Sequence, residues 1–169
     1  MQPSSPCTEV GAKSMNRGFS LIELLVVVAI MSVLASIGLP LAELSHRRTQ
    51  EEQLRSSLRE IRSALDAYKR MVDAGVIARP AGGSGYPPTL RVLVDGEANA
   101  QTPQASRLYF LRRLPRDPFA PETVTDAAET WGLRSYDSPP DDPKPGHDVF
   151  DVYSKAPGTG LDGLPYRRW

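Results

Sequence analysis

The acidic residue Glu23 is the side chain whose surroundings point most directly to a chemical role. It is the only ionisable group in the apolar segment from Phe19 to Leu41. A carboxylate inside an apolar membrane helix is costly, so such a residue usually has a partner of opposite charge and a function. The sequence therefore predicts that a cation lies close to Glu23 in the working protein.

The segment around Glu23 is long and apolar enough to cross a membrane. About 20 apolar residues span a bilayer as a helix, and residues 19–41 reach that length. Pro40 lies near the far end, where a kink in a membrane helix is tolerated. The alternatives are a plain signal anchor and a cleaved secretory signal, whose apolar core is usually only about 7–15 residues long. The carboxylate favours a third interpretation, in which this segment packs against other subunits during assembly.

The start of this segment reads Arg17-Gly18-Phe19-Ser20-Leu21-Ile22-Glu23. It closely resembles the prepilin cleavage and methylation motif of type IV pilins and type II secretion pseudopilins. The resemblance implies that the prepilin peptidase cuts between Gly18 and Phe19, removes residues 1–18 as a leader, and methylates Phe19. The new amine then lies one helical turn from Glu23. We predict that Phe19 and Glu23 of neighbouring subunits pair, which compensates two costly charges and fixes their axial register.

The helix is predicted to continue beyond the membrane through residues 42–74. Apolar side chains keep a helical spacing there, and Gly75 is the predicted stop. The predicted core-facing stripe consists of Leu54, Leu58, Ile61, Leu65, Tyr68, Met71 and Val72. Charged residues fill another face, which we predict to be solvated, with ion pairs between subunits as the alternative. These residues are Glu51, Glu52, Arg55, Arg59, Glu60 and Arg62.

Residues 75–169 are predicted to form a loop-rich head, because most of the 16 prolines and 13 glycines lie there. The resemblance implies that this head is periplasmic. Residues 90–94 are expected to form one or two helical turns, followed by a polar stretch. Strands are predicted at 131–136 and 149–153, joined by a long, exposed, proline-rich loop. The aromatic residues of the C-terminal tail are predicted to pack against this hairpin.

Further landmarks narrow the resemblance. They are Ala64-Leu65-Asp66-Ala67-Tyr68-Lys69, Tyr86-Pro87, Leu114-Pro115-Arg116-Asp117-Pro118-Phe119 and Asp151-Val152-Tyr153-Ser154. In this order they look like the landmarks of the major pseudopilin of type II secretion. That family usually has Asp-Pro-Trp-Gly in the third motif, whereas Phe119-Ala120 stands here and Trp131-Gly132 follows later. The resemblance implies an α+β fold, in which a long N-terminal helix carries a small antiparallel sheet on its second half.

Calcium is the one cofactor that the resemblance suggests. Relatives of this kind often bind calcium through several aspartates in the loop after the last strand. Calcium takes about six to eight oxygen ligands, but the loop 154–163 offers one carboxylate, Asp162, with Lys155 nearby. We predict no cofactor, and Asp162 is the candidate ligand should calcium bind. A second acidic group is interpreted as part of a solvated loop and contains Asp137, Asp141, Asp142 and Asp148.

Composition argues against several other classes of protein. Twenty basic residues balance 20 acidic ones, so the net charge does not point to nucleic acid as a partner. The histidines, His46 and His147, are far apart in the chain and no nucleophile or metal-ligand motif appears, so we predict no enzyme. Asp117, beside a proline, is interpreted as an ordinary turn former. The only cysteine, Cys7, lies in the predicted leader, which leaves the head without a disulfide.

The sequence therefore predicts a structural subunit of a type II secretion pseudopilus. The resemblance implies a single-pass protein of the bacterial inner membrane with its head in the periplasm. Its expected partners are copies of itself, other pseudopilins, the prepilin peptidase and the inner-membrane assembly platform. One alternative is a major or minor pilin of a type IV pilus, for adhesion, motility or DNA uptake, although major pilins often have a disulfide in the head. The other is a membrane-anchored periplasmic binding domain, which would tolerate Glu23→Leu.

Overall fold

The structure is a computed structural model that describes residues 19–102 and 107–169, with the backbone alone for residues 37–40. The predicted leader, residues 1–18, lies outside the described residues. The predicted long N-terminal helix is confirmed and includes Pro40. The predicted α+β class is confirmed as well, because short helices and strands follow the long helix.

The described elements follow one another in a simple order. They are α1 (Leu21–Asp73), α2 (Val92–Asp95), β1 (Glu97–Ala98), β2 (Arg107–Leu108), α3 (Ala127–Thr130), β3 (Trp131–Arg134), β4 (Asp151–Ser154) and a 3-10 turn (Tyr166–Arg168). The chain divides into two compact units, Met1–Glu43 and Leu44–Trp169. The second unit, which we call the head unit, contains the later part of α1 and every other element. Each unit is described by itself.

The end of α1 is set by Gly75. The N–H of Gly75 donates to the Val72 carbonyl (3.0 Å), and the N–H of Val76 donates to the Met71 carbonyl (2.9 Å). These two bonds form a Schellman motif. Gly75 has a φ of +70°, which glycine adopts without a steric cost. The predicted stop is confirmed, and the helix itself ends at Asp73.

The apolar stripe of α1 forms the centre of the core. Leu54, Leu58, Ile61, Leu65, Tyr68 and Val72 are all buried, and Leu93, Trp131, Val149, Val152 and Tyr166 belong to the same cluster. Met71 was predicted in the stripe but is exposed. A step of four residues leads from Tyr68 to Val72, so Met71 lies at the border of the buried face.

β3 and β4 form the predicted hairpin. They are antiparallel, and the register pairs Trp131 with Ser154 and Arg134 with Asp151. β3 is two residues shorter than predicted. Beyond Arg134 the ladder stops, because the N–H of Ser135 donates to the Lys144 carbonyl in the connecting loop (2.9 Å). The connecting loop is mostly exposed, as predicted.

Four short elements, α2, β1, β2 and α3, complete the head unit. α2 confirms the helical turn expected in residues 90–94. The small sheet of β1 and β2 and the helix α3 were not predicted, because their residues show no apolar periodicity in the sequence. Asp126 caps the N-terminus of α3, and its side chain accepts the Ala128 N–H (3.0 Å). Within the described residues there are thus two two-stranded sheets in place of the single sheet that was predicted.

Asp117 ties the loop before α3 to strand β4. The residue is only 1% exposed. One carboxylate oxygen accepts the Ser154 hydroxyl (2.5 Å) and the other accepts the Phe119 N–H (2.8 Å). The second bond is the expected turn, but the first was not predicted, since it joins residues that are distant in the chain. Asp117 is therefore a buried connection as well as a turn former.

Gly132 lies directly beneath the ring of its cross-strand partner, Tyr153. A Cβ atom at position 132 would lie 2.2 Å from Cε2 and 2.3 Å from Cζ of that ring. These distances are far below van der Waals contact, so a side chain at position 132 requires the ring to move. The close approach explains why β3 carries glycine at a buried position.

Gly132→Ala is expected to lower the free energy of unfolding by about 1–3 kcal/mol, the usual cost of overpacking. Urea unfolding of the full chain in detergent micelles measures the loss. In the double variant with Tyr153→Ala, the combined loss should be smaller than the sum of the two single losses, because the ring is gone. Additive losses would contradict the proposed clash.

Candidate functional site

The first part of α1 presents an apolar surface. Its large apolar side chains from Leu21 to Leu34 are 46–83% exposed. An 18-residue window of α1 has a mean hydropathy of 2.6, and none of it is buried. By length and composition, α1 therefore contains a stretch able to cross a membrane. So much contiguous apolar surface requires lipid or protein to cover it.

Two serine hydroxyls of this stretch suit an apolar environment. The Ser32 hydroxyl donates to the Val28 carbonyl and the Ser36 hydroxyl to the Val33 carbonyl, both at 2.7 Å. The hydroxyls are thus satisfied within the helix, as hydrocarbon surroundings demand. Glu23 is exposed and lies in the first turn of α1, where the helix dipole favours a carboxylate.

Two of the three predicted processing and assembly residues are described. Phe19 is exposed and precedes α1, whose first hydrogen bond runs from the Leu24 N–H to the Ser20 carbonyl (3.1 Å). Phe19 and Glu23 are four residues apart, which is one helical turn. Gly18 lies outside the described residues. Cleavage, methylation and the charge pair remain predictions.

A second functional arrangement involves polar residues in the later part of α1. We call Arg47, Glu51, Arg55 and Arg62 the polar stripe. Their spacing of four, four and seven residues places them on one face of the helix. The prediction of a solvated face was wrong for Glu51, which is buried, whereas Arg55 is exposed as predicted and Arg62 is partly buried. All three side chains bind residues 151–169 of the same chain, and these contacts were not predicted.

Glu51 is the buried member of the polar stripe, with 6% of the residue exposed. One carboxylate oxygen accepts the Tyr166 hydroxyl (2.9 Å) and the Leu161 N–H (3.0 Å). The same oxygen lies 3.4 Å from the Arg47 guanidinium. Burial, together with the neighbouring Glu51, raises the pKa of Tyr166, so its hydroxyl keeps the proton that it donates. The buried carboxylate is therefore well supplied with donors.

Asp148 departs from the predicted solvated loop. Its carboxylate accepts the hydroxyls of Ser84 and Ser135 and the Tyr136 N–H, the latter two at 2.8 and 2.9 Å. Burial would raise the pKa of Asp148, but these hydrogen bonds and the nearby His147 hold that pKa below its ordinary value. Asp148 thus connects the glycine-rich segment around Ser84 to the hairpin.

The acidic residues do not form a metal centre in the described part of the chain. Within residues 19–102 and 107–169, no group of three or more His, Cys, Asp or Glu side chains is placed to hold a metal ion. Asp137, Asp141 and Asp142 are exposed, as predicted. Asp162, the candidate calcium ligand, forms an ion pair with Arg55 (2.7 Å).

Comparison with known proteins identifies the N-terminal motif and the relatives of the chain. The sequence profile of the prokaryotic N-terminal methylation motif matches residues 13–39. Three curated relatives are called type II secretion system core protein G. That of Klebsiella pneumoniae is 34% identical, over 88% of this chain and 87% of the relative. The relative from Dickeya chrysanthemi is 32% identical, over 88% of this chain and 80% of the relative. The relative from Klebsiella michiganensis is 29% identical, over 88% of this chain and 86% of the relative. No solved structure gives a significant match.

A long apolar N-terminal helix, an N-terminal methylation motif and a small α+β head define a pilin-like protein. Within that class, the chain belongs to the family of type II secretion system core protein G, the major pseudopilins. The resemblance inferred from the sequence is therefore confirmed. The relatives favour the pseudopilin over a type IV pilus pilin and over an anchored binding domain. None of the three relatives is named as an enzyme.

The contacts of Asp148 predict a loss of stability in acid. A carboxyl group whose pKa is lower in the folded chain stabilises the fold above its unfolded pKa, about 3.9 for aspartate. That stabilisation disappears as the pH falls through the lower, folded pKa. The free energy of unfolding, measured in urea from about pH 7 to about pH 3, should decline less steeply for Asp148→Asn than for the wild type.

The variant should also be less stable than the wild type near neutral pH. Asp141→Asn is the matched control, because Asp141 is an exposed residue of the same loop. Its profile should follow that of the wild type. An equally steep decline in Asp148→Asn and in the wild type would contradict the role given to Asp148.

Proposed function

We propose that this chain is a structural subunit of the type II secretion pseudopilus, processed by the prepilin peptidase and assembled into a periplasmic filament. The observation that carries this proposal is the exposed apolar surface of α1, interrupted by the single carboxylate of Glu23. Before assembly, lipid covers this surface. In the filament, the corresponding surfaces of other subunits cover it.

Processing creates the cation that Glu23 requires. Cleavage between Gly18 and Phe19 leaves an ammonium group one turn before Glu23. Methylation of this amine keeps its positive charge. Charges attract more strongly in an apolar environment than in water, so an ammonium and a carboxylate from neighbouring helices stabilise each other there. A misaligned subunit leaves both charges unpaired and is disfavoured by several kcal/mol.

The partners and the location follow from the same proposal. The helix anchors the subunit in the bacterial inner membrane, and the head unit lies in the periplasm. The subunit meets the prepilin peptidase first, then the inner-membrane assembly platform, copies of itself and other pseudopilins. The membership in the core protein G family supports an association with other secretion components, and the membrane-length apolar stretch supports the membrane anchor.

Processing can be tested by the mass of the N-terminal peptide. When the full chain is expressed with the prepilin peptidase, residues 1–18 should be absent and Phe19 should carry one added methyl group. Without the peptidase, the N-terminus should remain intact and unmethylated. The same intact N-terminus in the presence of active peptidase would refute the processing step.

The charge pair can be tested with Glu23→Ala. The cleaved variant should be incorporated into pseudopili at least about tenfold less than the wild type, because the Phe19 amine is left unpaired in an apolar surrounding. Incorporation is measured as the fraction of subunit in sheared, sedimented filaments. Glu43→Ala is the control, since it removes an exposed carboxylate from the same helix beyond the apolar segment. Normal assembly of Glu23→Ala would refute the pair.

A further inference from the structure

The loop after β4, residues 155–165, closes on itself by short-range hydrogen bonds. We call it the C-terminal loop. The N–H of Gly160 donates to the Leu164 carbonyl (2.7 Å), and the N–H of Gly163 donates to the Gly160 carbonyl (2.9 Å). Thr159 and Pro165 form an isolated antiparallel bridge. The loop is thus a compact turn before it meets the helix.

Three successive turns of α1 hold successive residues of this loop. Arg47 donates to the Thr159 carbonyl. Glu51, one turn later, accepts the Leu161 N–H at 3.0 Å. After a further turn, Arg55 donates to the Asp162 carboxylate at 2.7 Å. The polar stripe therefore fixes the C-terminal loop along its length.

The chain on either side of the loop is held by the same stripe. Arg62 donates to the Asp151 carboxylate (2.8 Å) before the loop, and to the backbone oxygen of Trp169 (2.7 Å) after it. The Arg55 guanidinium also lies over the Trp169 ring, 4.2 Å from its centroid. Arg62 thus fixes the chain before and after the C-terminal loop, and Arg55 also packs on the C-terminal tryptophan.

The groups of this loop do not fit calcium. One Asp162 oxygen accepts a hydrogen bond from the Arg55 guanidinium, and the other accepts a hydrogen bond from the Leu164 N–H (3.0 Å). The carbonyls of Thr159, Gly160 and Leu164 already accept hydrogen bonds. Calcium needs about six to eight oxygen ligands. An ion at Asp162 would have to displace Arg55, and the loop offers no second carboxylate to replace the contact.

We propose that the polar stripe closes the C-terminal loop without a metal ion, and that the Arg55 guanidinium supplies the positive charge at Asp162. The stability of the head unit is then independent of calcium. This property concerns the single subunit and does not rest on the proposed assembly function. It also assigns the stripe of α1 a role in folding.

The exposure of the Arg55–Asp162 contact predicts that the loop responds to ionic strength and not to calcium. The side chains of Arg55 and Asp162 are 49% and 34% exposed, so added salt screens their attraction. The hydrogen bonds of the buried Glu51 are screened much less. The loop should therefore loosen moderately with ionic strength, whichever cation is added.

The test uses the full chain in detergent micelles, with either EGTA or millimolar calcium at matched ionic strength. The two measurements are the melting temperature and the amide hydrogen exchange of residues 156–166, followed by mass spectrometry. These amides include those of Gly160, Leu161, Gly163 and Leu164, which all have acceptors in the closed loop. We expect identical values with and without calcium.

In the Arg55→Gln variant, the loop amides should exchange several-fold faster than in the wild type, and the melting temperature should be about 2–4 °C lower. Added calcium should restore neither the exchange rate nor the melting temperature. Arg59→Gln is the matched control, because Arg59 is an exposed arginine of the same helix outside the stripe. It should behave like the wild type. Asp162→Asn, which leaves α1 unchanged, should reproduce the faster exchange.

Two results would overturn the proposal. One is a higher melting temperature or slower loop exchange of the wild type in calcium than in EGTA. The other is loop exchange in Arg55→Gln that equals that of the wild type. Both are measured on unassembled subunits, so neither depends on whether Phe19 and Glu23 pair in a filament.

Discussion

The packing of the later elements onto the apolar stripe of α1 is the interaction on which the rest of the head unit depends. Each fully buried leucine, isoleucine or valine contributes about 1.5–3 kcal/mol relative to its exposed state. The two sheets of the head unit have only two strands each, and an isolated two-stranded hairpin is marginally stable in water. The buried side chains of α1 supply the common core that Trp131, Val149 and Val152 need.

A second principle is that buried or partly buried carboxylates hold the loops in place. Glu51 binds the C-terminal loop, Asp117 joins the loop before α3 to β4, and Asp148 joins the segment around Ser84 to the hairpin. Each accepts hydrogen bonds from hydroxyl or backbone N–H groups of residues that are distant in the chain. The head unit has no cysteine, so these contacts take the place that disulfides have in many secreted domains.

The same helix therefore meets two different requirements along its length. Its first part exposes apolar side chains with one carboxylate, which suits lipid and neighbouring helices. Its later part buries an apolar stripe and places a polar stripe beside it, which suits the fold of a single subunit. Glu51 binds the C-terminal loop within the single subunit, whereas the role that we propose for Glu23 lies in assembly.

The sequence alone determined the features that depend on local patterns. The membrane-length segment, the apolar stripe, the stop at Gly75 and the family motif at Phe19 are all readable from residues close together in the chain. Composition and periodicity suffice for these, because a helix repeats its contacts every three or four residues. The hairpin of β3 and β4 was also predicted, although its ends were not.

Only the tertiary structure decided the partners of the charged residues. Glu51 and Leu161 are 110 positions apart, and Arg55 and Asp162 are 107 apart. No periodicity links such residues, so a charged helix face looks solvated in the sequence whether or not a distant loop covers it. The interpretation of Asp162 changed for the same reason: alone in its loop it resembles a poor calcium ligand, whereas in the fold it is the partner of an arginine. Charge is visible in a sequence, but its compensation is a property of the folded chain.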